Sequence, residues 1–147
     1  MLERQTFYFI DTNIWLYAAG DQPTLQEACL ACLEAIRQAE SFSVTSVAVL
    51  EEVCFLAYRQ RRDVALVSRL LERIEQAVGV LLPVTVEDYR LAVRLLQRVR
   101  VPLASTKDYF HVACMLNNRI RVIVSSDQDF DRFPAIHRLD PLLAKLP

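Results

Sequence analysis

Four acidic residues of this chain lie where their carboxylates can be brought together around a metal ion. Asp11 directly follows one apolar run, and Asp127 comes shortly after another. Glu52 and Asp108 lie near the starts of two helical patterns between those runs. If both runs are buried parallel strands, the two aspartates emerge at strand carboxyl ends, where open α/β sheets bind their ligands. Because clustered carboxylates repel each other, such a group indicates a bound cation, and oxygen ligands favour Mg²⁺ or Mn²⁺.

The elements that would position these residues alternate between strands and helices. Short apolar runs predict strands near 6–10, 42–44, 80–82 and 121–125. Apolar spacing and capping residues predict helices over 24–39, from Thr45 or Ser46 onward, from Asp63 to Ala77, from Thr85 to Arg100, and from Ser105 to Asn117. This alternation is typical of βαβ units. We therefore expect an α/β fold with a mainly parallel central sheet, in a single domain that covers residues 1–147.

Two of the predicted helices have apolar patterns that predict how they pack. After Ser46, apolar positions between Val47 and Ala57 surround most of the helix circumference, so we expect this helix to be largely buried. In the helix that begins at Thr85, the spacing predicts four residues on the inward face: Val86, Tyr89, Val93 and Leu96.

Composition excludes several classes of protein. The net charge is −1 and the pI is about 6.1, so any contact with nucleic acid needs a local basic patch. The two glycines, Gly20 and Gly79, cannot form a glycine-rich nucleotide-binding loop. No apolar run approaches the roughly 18 residues of a membrane-spanning helix, and the first residues do not resemble a signal sequence. We expect a cytoplasmic protein with no membrane contact.

Four cysteines lie within apolar helical patterns rather than in turns: Cys29, Cys32, Cys54 and Cys114. This placement predicts buried, reduced thiols. Cys29 and Cys32 have the C-x-x-C spacing of half a zinc site, but no second pair and no nearby histidine completes it. We therefore interpret the pair as structural.

Four segments carry a resemblance to a known family. They are FIDTNIWLY at 9–17, TSVAVLEEV at 45–53, DYFHVA at 108–113 and VSSDQDFD at 124–131. In order and spacing they resemble the motifs of the PIN domain, and within that family the small stand-alone nucleases like VapC-type toxins. The resemblance covers nearly the whole chain.

The resemblance implies a three-layer α/β/α fold, a Mg²⁺ or Mn²⁺ site, and hydrolysis of RNA phosphodiester bonds. It also implies a small antitoxin protein as a partner and a homodimer built from helical faces. The residues implied in catalysis and metal binding are Asp11, Glu52, Asp108 and Asp127. The residues implied in supporting roles are Thr12, Asn13, Ser126 and Asp129.

Two neighbouring glutamates compete for the position on the helix after Ser46. Glu51 and Glu52 both have apolar residues three and four positions away, so helical geometry alone does not choose between them. The family pattern of an acidic pair followed by an aliphatic residue favours Glu52.

The three aspartates each have a structural alternative. Asp11 can cap the helix that follows it, because Asp accepts N–H bonds at helix starts. Asp108 lies three residues after Ser105 and can complete a capping box. Asp127 can cap a short helix over 128–133. Each capping role is compatible with metal binding by the same side chain.

Other polar residues near the acids have two interpretations as well. Basic residues on either side can form a rim for RNA phosphates, or simply a solvated helix end: Arg59, Arg61, Arg62 and Lys107. His111 suggests a general base, but a histidine in an apolar helix is more often packed and hydrogen-bonded locally. Thr12 and Ser126 are better candidates for polar contacts to water or phosphate.

Two rival functions remain at this point. One is a non-catalytic module that keeps the fold and binds RNA or protein; the complete set of four acids counts against it. The other is an aspartyl-phosphate phosphatase, which needs a second acid two residues after the nucleophile. This chain has Asn13 at that position, so the sequence disfavours the phosphatase.

Overall fold

A central sheet of five parallel strands organises the protein, in a computed structural model that describes residues 5–100 and 105–143. The strands are β1 Phe7–Ile10, β2 Phe42–Ser46, β3 Val80–Leu82, β4 Val122–Val124 and β5 His137–Leu139. The helices are α1 Thr12–Ala18, α2 Pro23–Gln38, α3 Val47–Arg61, α4 Val64–Ala77, α5 Val86–Arg98, α6 Thr106–Asn117 and the 3₁₀ helix Gln128–Arg132. The predicted three-layer α/β/α architecture is confirmed, and every strand pair is parallel.

The strand order β3-β2-β1-β4-β5 places β1 at the centre of the sheet. From β1 the chain moves outward to β2 and β3, and it later returns to the other side as β4 and β5. Phe9 is opposite Val44 on one side and Ile123 on the other. A sheet of this kind binds its ligands where the direction of winding reverses, beyond the strand carboxyl ends. In this protein that place is the crevice beyond β1 and β4.

The core lies on both faces of the central strands. Phe9, Ile10, Val44, Ile123 and Val124 are all at most 1% exposed. Parallel strands covered on both faces are expected to be continuously apolar, which explains why these runs were recognisable. Helix α6 is the most buried helix segment next to them, with seven buried residues of its twelve.

Helix α3 is not largely buried, contrary to the prediction. Its buried residues are Val49, Val53 and Ala57, which form one narrow face. Phe55 and Tyr58 are about half exposed. The helix packs on the sheet from an outer layer, so within the described residues only one of its faces meets the rest of the molecule. The all-round apolar pattern therefore produces an apolar outer surface.

The inward face of α5 was also predicted wrongly. Val86 and Tyr89 are more than half exposed, whereas Asp88 and Ala92 are buried. Asp88 fixes this rotation because its Oδ1 accepts a 2.7 Å hydrogen bond from Nδ2 of Asn117 on α6. Its Oδ2 accepts from the backbone N–H of Thr85 at 2.8 Å and completes a capping box at the start of α5. A buried polar network thus determines which side of α5 packs inward.

Strand β5 was not predicted, and the other elements differ in their ends. The strand expected over 121–125 is three residues long, and β2 is longer than expected because it continues to Ser46. Within the described residues, no helix combines the length and hydropathy needed to cross a membrane. The four cysteines are free; three are buried, and Cys54 is half-buried.

Candidate active site

Asp11 is held at the carboxyl end of β1 by three hydrogen-bond donors. Its Oδ1 accepts from the backbone N–H of Thr12 at 2.8 Å. Its Oδ2 accepts from the Ser125 hydroxyl at 2.6 Å and from Nδ2 of Asn13 at 3.1 Å. The side chain is 5% exposed, and burial raises the pKa of Asp11 although nearby His111 and these hydrogen bonds oppose the shift. The carboxylate is therefore buried and fixed in orientation.

Ser125 is a site residue that the sequence analysis did not name. The strand register pairs Ile10 with Val124, so Asp11 and Ser125 are the next residues on adjacent strands. Besides bonding Asp11, the Ser125 hydroxyl oxygen accepts from the backbone N–H of Asp127 at 3.0 Å. The signal that could have identified Ser125 is its position, as a polar residue directly after the buried strand β4.

Glu52 points from α3 toward α6, where it lies beside His111. Its Oε2 is 3.5 Å from Nε2 of His111 and 3.9 Å from Nζ of Lys107. Burial acts to raise the pKa of Glu52, but His111 and, more weakly, Lys107 outweigh it and the net pKa is lowered. Among the described residues, neither Oε2 of Glu52 nor Oγ1 of Thr12 has a hydrogen-bond partner of acceptable geometry, and both atoms are buried. The same holds for both ring nitrogens of His111.

Glu51, in contrast, faces solvent. Its side chain is 65% exposed, compared with 21% for Glu52. The Lys107 ammonium group lies 3.4 Å from Oε2 of Glu51. Glu52 is thus the glutamate that lies in the crevice.

Asp108 lies in the first turn of α6 and is 8% exposed. Burial, followed by the negative charge of Asp11, raises the pKa of Asp108 to about 7, and the charges of Asp127 and Glu52 add to this increase. His111 acts in the opposite direction. The four predicted acids are therefore close enough to interact electrostatically. The capping box considered for Asp108 does not form, because Ser105 caps α6 through the backbone N–H of Lys107 instead.

Asp127 and Asp129 complete the cluster from the 3₁₀ helix. One carboxylate oxygen from each of Asp108, Asp127 and Asp129 lies within 4.8 Å of the other two. Asp127 also caps the 3₁₀ helix, because its Oδ1 accepts from the backbone N–H of Asp129 at 2.9 Å. Asp129, predicted only as a supporting residue, is therefore as close to Asp108 as a metal-binding cluster requires.

The supporting residues lie around these carboxylates. Asn13 donates to the Ser125 hydroxyl oxygen at 3.1 Å as well as to Asp11, and its Oδ1 accepts from the backbone N–H of Ser126 at 3.4 Å. Ser126 is half-buried. Thr12 is buried beside Glu52. The loops after β1 and β4 are thereby connected to each other.

The donor set fits a hard divalent cation. All five acidic side chains offer carboxylate oxygens, which Mg²⁺ and Mn²⁺ prefer, and no cysteine competes at the site. The buried Oε2 of Glu52 has no hydrogen-bond partner among the described residues, so its charge is uncompensated except by its two basic neighbours. Clustered carboxylates repel one another, and a cation bound among them would remove that cost.

The four basic residues predicted as a phosphate rim separate into two places. Lys107 lies at the crevice, where it contacts Glu51 and Glu52. Arg59, Arg61 and Arg62 lie in the last turn and cap of α3. At 1.5 Å of rise per residue, Arg61 is about 13 Å along the helix axis from Glu52. The structure thus brings one of the four to the acids.

Comparisons with known proteins agree with this geometry. No curated protein sequence matches the chain. Among solved structures, a chain of VapBC2 from Rickettsia felis, crystallised with a promoter DNA fragment, aligns with a TM-score of 0.72 and 16% identity, over 92% of this chain and 98% of its own. VapC20 from Mycobacterium tuberculosis, a sarcin-ricin-loop-cleaving toxin, aligns at 0.68 with 22% identity, over 88% and 96%. VapBC-1 from Haemophilus influenzae aligns at 0.67 with 19% identity, over 92% and 98%.

At these identities the structural matches establish a shared fold. The sequence itself matches a family model, the PIN domain, over residues 8–136. That segment begins within β1 and ends just before β5, so it contains every acidic residue of the crevice. The chain belongs to the PIN domain family.

Proposed function

We propose that this single-domain protein is a metal-dependent endoribonuclease that hydrolyses RNA phosphodiester bonds, and that it is the toxin of a toxin-antitoxin pair. The observation that carries the proposal is the convergence of Asp11, Glu52 and Asp127 on the buried Asp108. Keeping these carboxylates together costs free energy unless a cation binds them. The M. tuberculosis protein of similar fold acts on the sarcin-ricin loop, which supports RNA as the substrate class.

The residues that would hold the metal are Asp11, Glu52, Asp108, Asp127 and Asp129. A bound Mg²⁺ or Mn²⁺ would activate water for attack on phosphorus and offset the charge that develops on the phosphoryl oxygens. Ser125 and Asn13 orient Asp11, which keeps one edge of the site rigid. His111 lies beside Glu52 at its buried position on α6, with Nε2 3.5 Å from Oε2 of Glu52. With these residues in place, hydrolysis needs no protein nucleophile.

We propose that an antitoxin segment binds a groove on the side of the molecule formed by α1, α3 and α4. The groove has a volume of about 460 Å³ and contains Leu66 and Leu70 together with Arg61, Arg69 and Arg73. Mixed apolar and basic lining fits an amphipathic acidic peptide. Several proteins of similar fold were crystallised as toxin-antitoxin complexes, which supports a partner of this kind.

We also propose a homodimer that uses the exposed apolar faces of α3 and α5. Phe55, Val86 and Tyr89 are about half exposed or more, and exposed apolar patches commonly mark protein interfaces. We expect the protein to act in the cytoplasm, because four free cysteines suit a reducing compartment.

An RNA cleavage assay tests the enzymatic proposal. Purified protein is incubated with single-stranded RNA in Mg²⁺ or Mn²⁺, and the products are separated on a denaturing gel. We expect cleavage that EDTA stops and that Asp11→Asn abolishes, because a neutral amide supplies no charge to the metal. Circular dichroism should show a folded variant. If Asp11→Asn cuts at the wild-type rate, the metal site is wrong; if neither protein cuts, the fold serves as a binding module.

A further inference from the structure

A second groove lies beside the carboxylate cluster, between the end of α5 and the 3₁₀ helix. Its volume is about 810 Å³, and it is open to solvent. We call it the arginine groove, because three of the residues that line it are arginines: Arg98, Arg100 and Arg132. Asp129 lines the same groove and also belongs to the carboxylate cluster. The groove is therefore continuous with the candidate active site.

The arginines of the groove are unpaired within the part of the chain that the structure describes. None of its three arginines forms an ion pair or side-chain hydrogen bond with a residue of 5–100 or 105–143. Asp131, which also lines the groove, is already neutralised, because Oδ1 and Oδ2 accept from Arg138 at 2.9 and 3.0 Å. Asp129 is directed to the carboxylate cluster. Three guanidinium groups without a partner among the described residues thus lie next to the acids, a position suited to binding the phosphates of a substrate strand.

The groove is connected to Asp108 through the packing of the next residue. The Tyr109 hydroxyl donates a 2.8 Å hydrogen bond to the backbone carbonyl of Val99, which lies between two of the arginines. The Tyr109 ring also packs edge-on against Phe133, with centroids 5.3 Å apart, just after the 3₁₀ helix. One side chain therefore holds both walls of the groove against the first turn of α6. The backbone that carries Arg98 and Arg100 is therefore tied to the helix that carries Asp108.

We propose that the arginine groove binds the phosphates of single-stranded RNA next to the scissile bond, so that Arg98, Arg100 and Arg132 guide the strand onto the carboxylates. This inference rests on the proposed ribonuclease function. One guanidinium group can donate two hydrogen bonds to the oxygens of one phosphate, so several arginines suit a backbone of regularly spaced phosphates. An acidic peptide is a poorer occupant, because Val99 and Pro134 are the apolar residues that line the groove and offer little anchoring area.

An RNA-binding measurement tests whether RNA contacts the arginine groove or another basic surface. The triple variant Arg98→Gln, Arg100→Gln, Arg132→Gln is compared with Arg94→Gln, which removes an exposed arginine one turn earlier on α5. Both are made in the Asp11→Asn background, and a fluorescein-labelled single-stranded RNA is titrated by anisotropy at several salt concentrations. Each single-strand phosphate contact contributes about 0.7 to the slope of log K against log salt, so the triple variant should lower the slope by about 2. Arg94→Gln should leave it unchanged.

Cleavage kinetics provide a second readout in proteins that keep Asp11. The triple variant should lose rate at limiting RNA and recover most of it at saturating RNA, because the groove binds substrate without touching the reacting atoms. The inference is overturned if the triple variant binds RNA as well as Arg94→Gln does, if the parent binds no RNA, or if poly-glutamate competes as well as RNA does. If RNA binding depends on the three arginines but no cleavage is seen, the arginine groove is an RNA-binding site and only the nuclease proposal fails.

Discussion

Asp11 and Asp108 are buried to a similar degree but are stabilised differently. Asp11 accepts hydrogen bonds from three donors, whereas the Asp108 carboxylate accepts none from the described residues. With no such hydrogen bond to stabilise the Asp108 carboxylate, burial and then the negative charge of Asp11 raise its pKa to about 7. The sequence placed both aspartates correctly near the crevice. It did not predict this difference, because the donor Ser125 lies 114 residues away from Asp11.

The raised pKa of Asp108 predicts how metal-free protein responds to pH. Between 3.8, its ordinary value, and about 7, the folded state holds a proton that the unfolded state has lost, so stability falls as pH rises. We expect the melting temperature in EDTA to fall as pH rises from about 5 to about 7, and Asp108→Asn to make that fall smaller; Asp11, whose pKa burial also raises, contributes to the remainder.

Asp131→Asn is the matched control. Arg138 lowers the pKa of Asp131, so its titration lies below the measured range and the slope should persist. A wild-type melting temperature that rises over this range would contradict the assignment.

Substitution of the two adjacent glutamates, Glu51 and Glu52, should reduce RNA cleavage by different amounts. Glu52 faces His111 in the crevice, whereas Glu51 is exposed beside Lys107. We expect Glu52→Gln to lower RNA cleavage by about 100-fold or more, since even outer partners of a metal site are worth about 10–100-fold. Glu51→Gln should retain activity. Rates measured over a series of Mg²⁺ concentrations distinguish them, and loss confined to Glu51→Gln would refute the assignment.

At the scale of elements, the sequence predicted correctly the strands whose two faces are both buried, because every residue in them is then apolar. Strands β1 and β4 are covered on both faces, so their apolar runs were clear. The prediction that helix α3 is largely buried was wrong, because Phe55 and Tyr58 are large hydrophobic residues on an exposed face of the helix. Strand β5 was missed because His137–Leu139 is too short and polar to have a pattern, and it forms only by pairing with β4.

The capping box of α5 predicts a measurable loss of stability. The Thr85 side chain accepts from the backbone N–H of Asp88, so Thr85→Ala leaves one helix-end donor unsatisfied. We expect a loss of about 1 kcal/mol in the free energy of unfolding, measured by urea denaturation. Gln22→Ala is the control, because Gln22 caps α2 without any side-chain hydrogen bond. Equal losses in the two variants would show that the capping bond contributes nothing.

At the scale of the molecule, the proposed metal site predicts that a divalent cation stabilises the folded protein, because it would relieve the repulsion among the carboxylates. A ligand that binds only the folded state adds about 2.7 kcal/mol when present at about a hundred times its Kd. We expect Mg²⁺ or Mn²⁺ to raise the melting temperature by several degrees, and Asp127→Asn to remove most of that shift. Differential scanning fluorimetry measures both.

The matched control for this shift is Asp63→Asn, which changes an exposed helix cap outside the cluster. It should change the baseline melting temperature little, because Asn caps a helix about as well as Asp, and it should keep the metal-dependent increase. The absence of any increase in the wild-type protein at millimolar metal would exclude a metal site of useful affinity.

The pairing of Ile10 with Val124 has a consequence for synthesis. A ribosome makes Asp11 early, but Ser125 and Asp127 emerge only after more than a hundred further residues. A nascent chain that stops before β4 therefore lacks one wall of the crevice, including the Ser125 hydroxyl that donates to Asp11. Because β4, which pairs with the central strand β1, is made so late, the crevice cannot be complete until most of the domain has been synthesised.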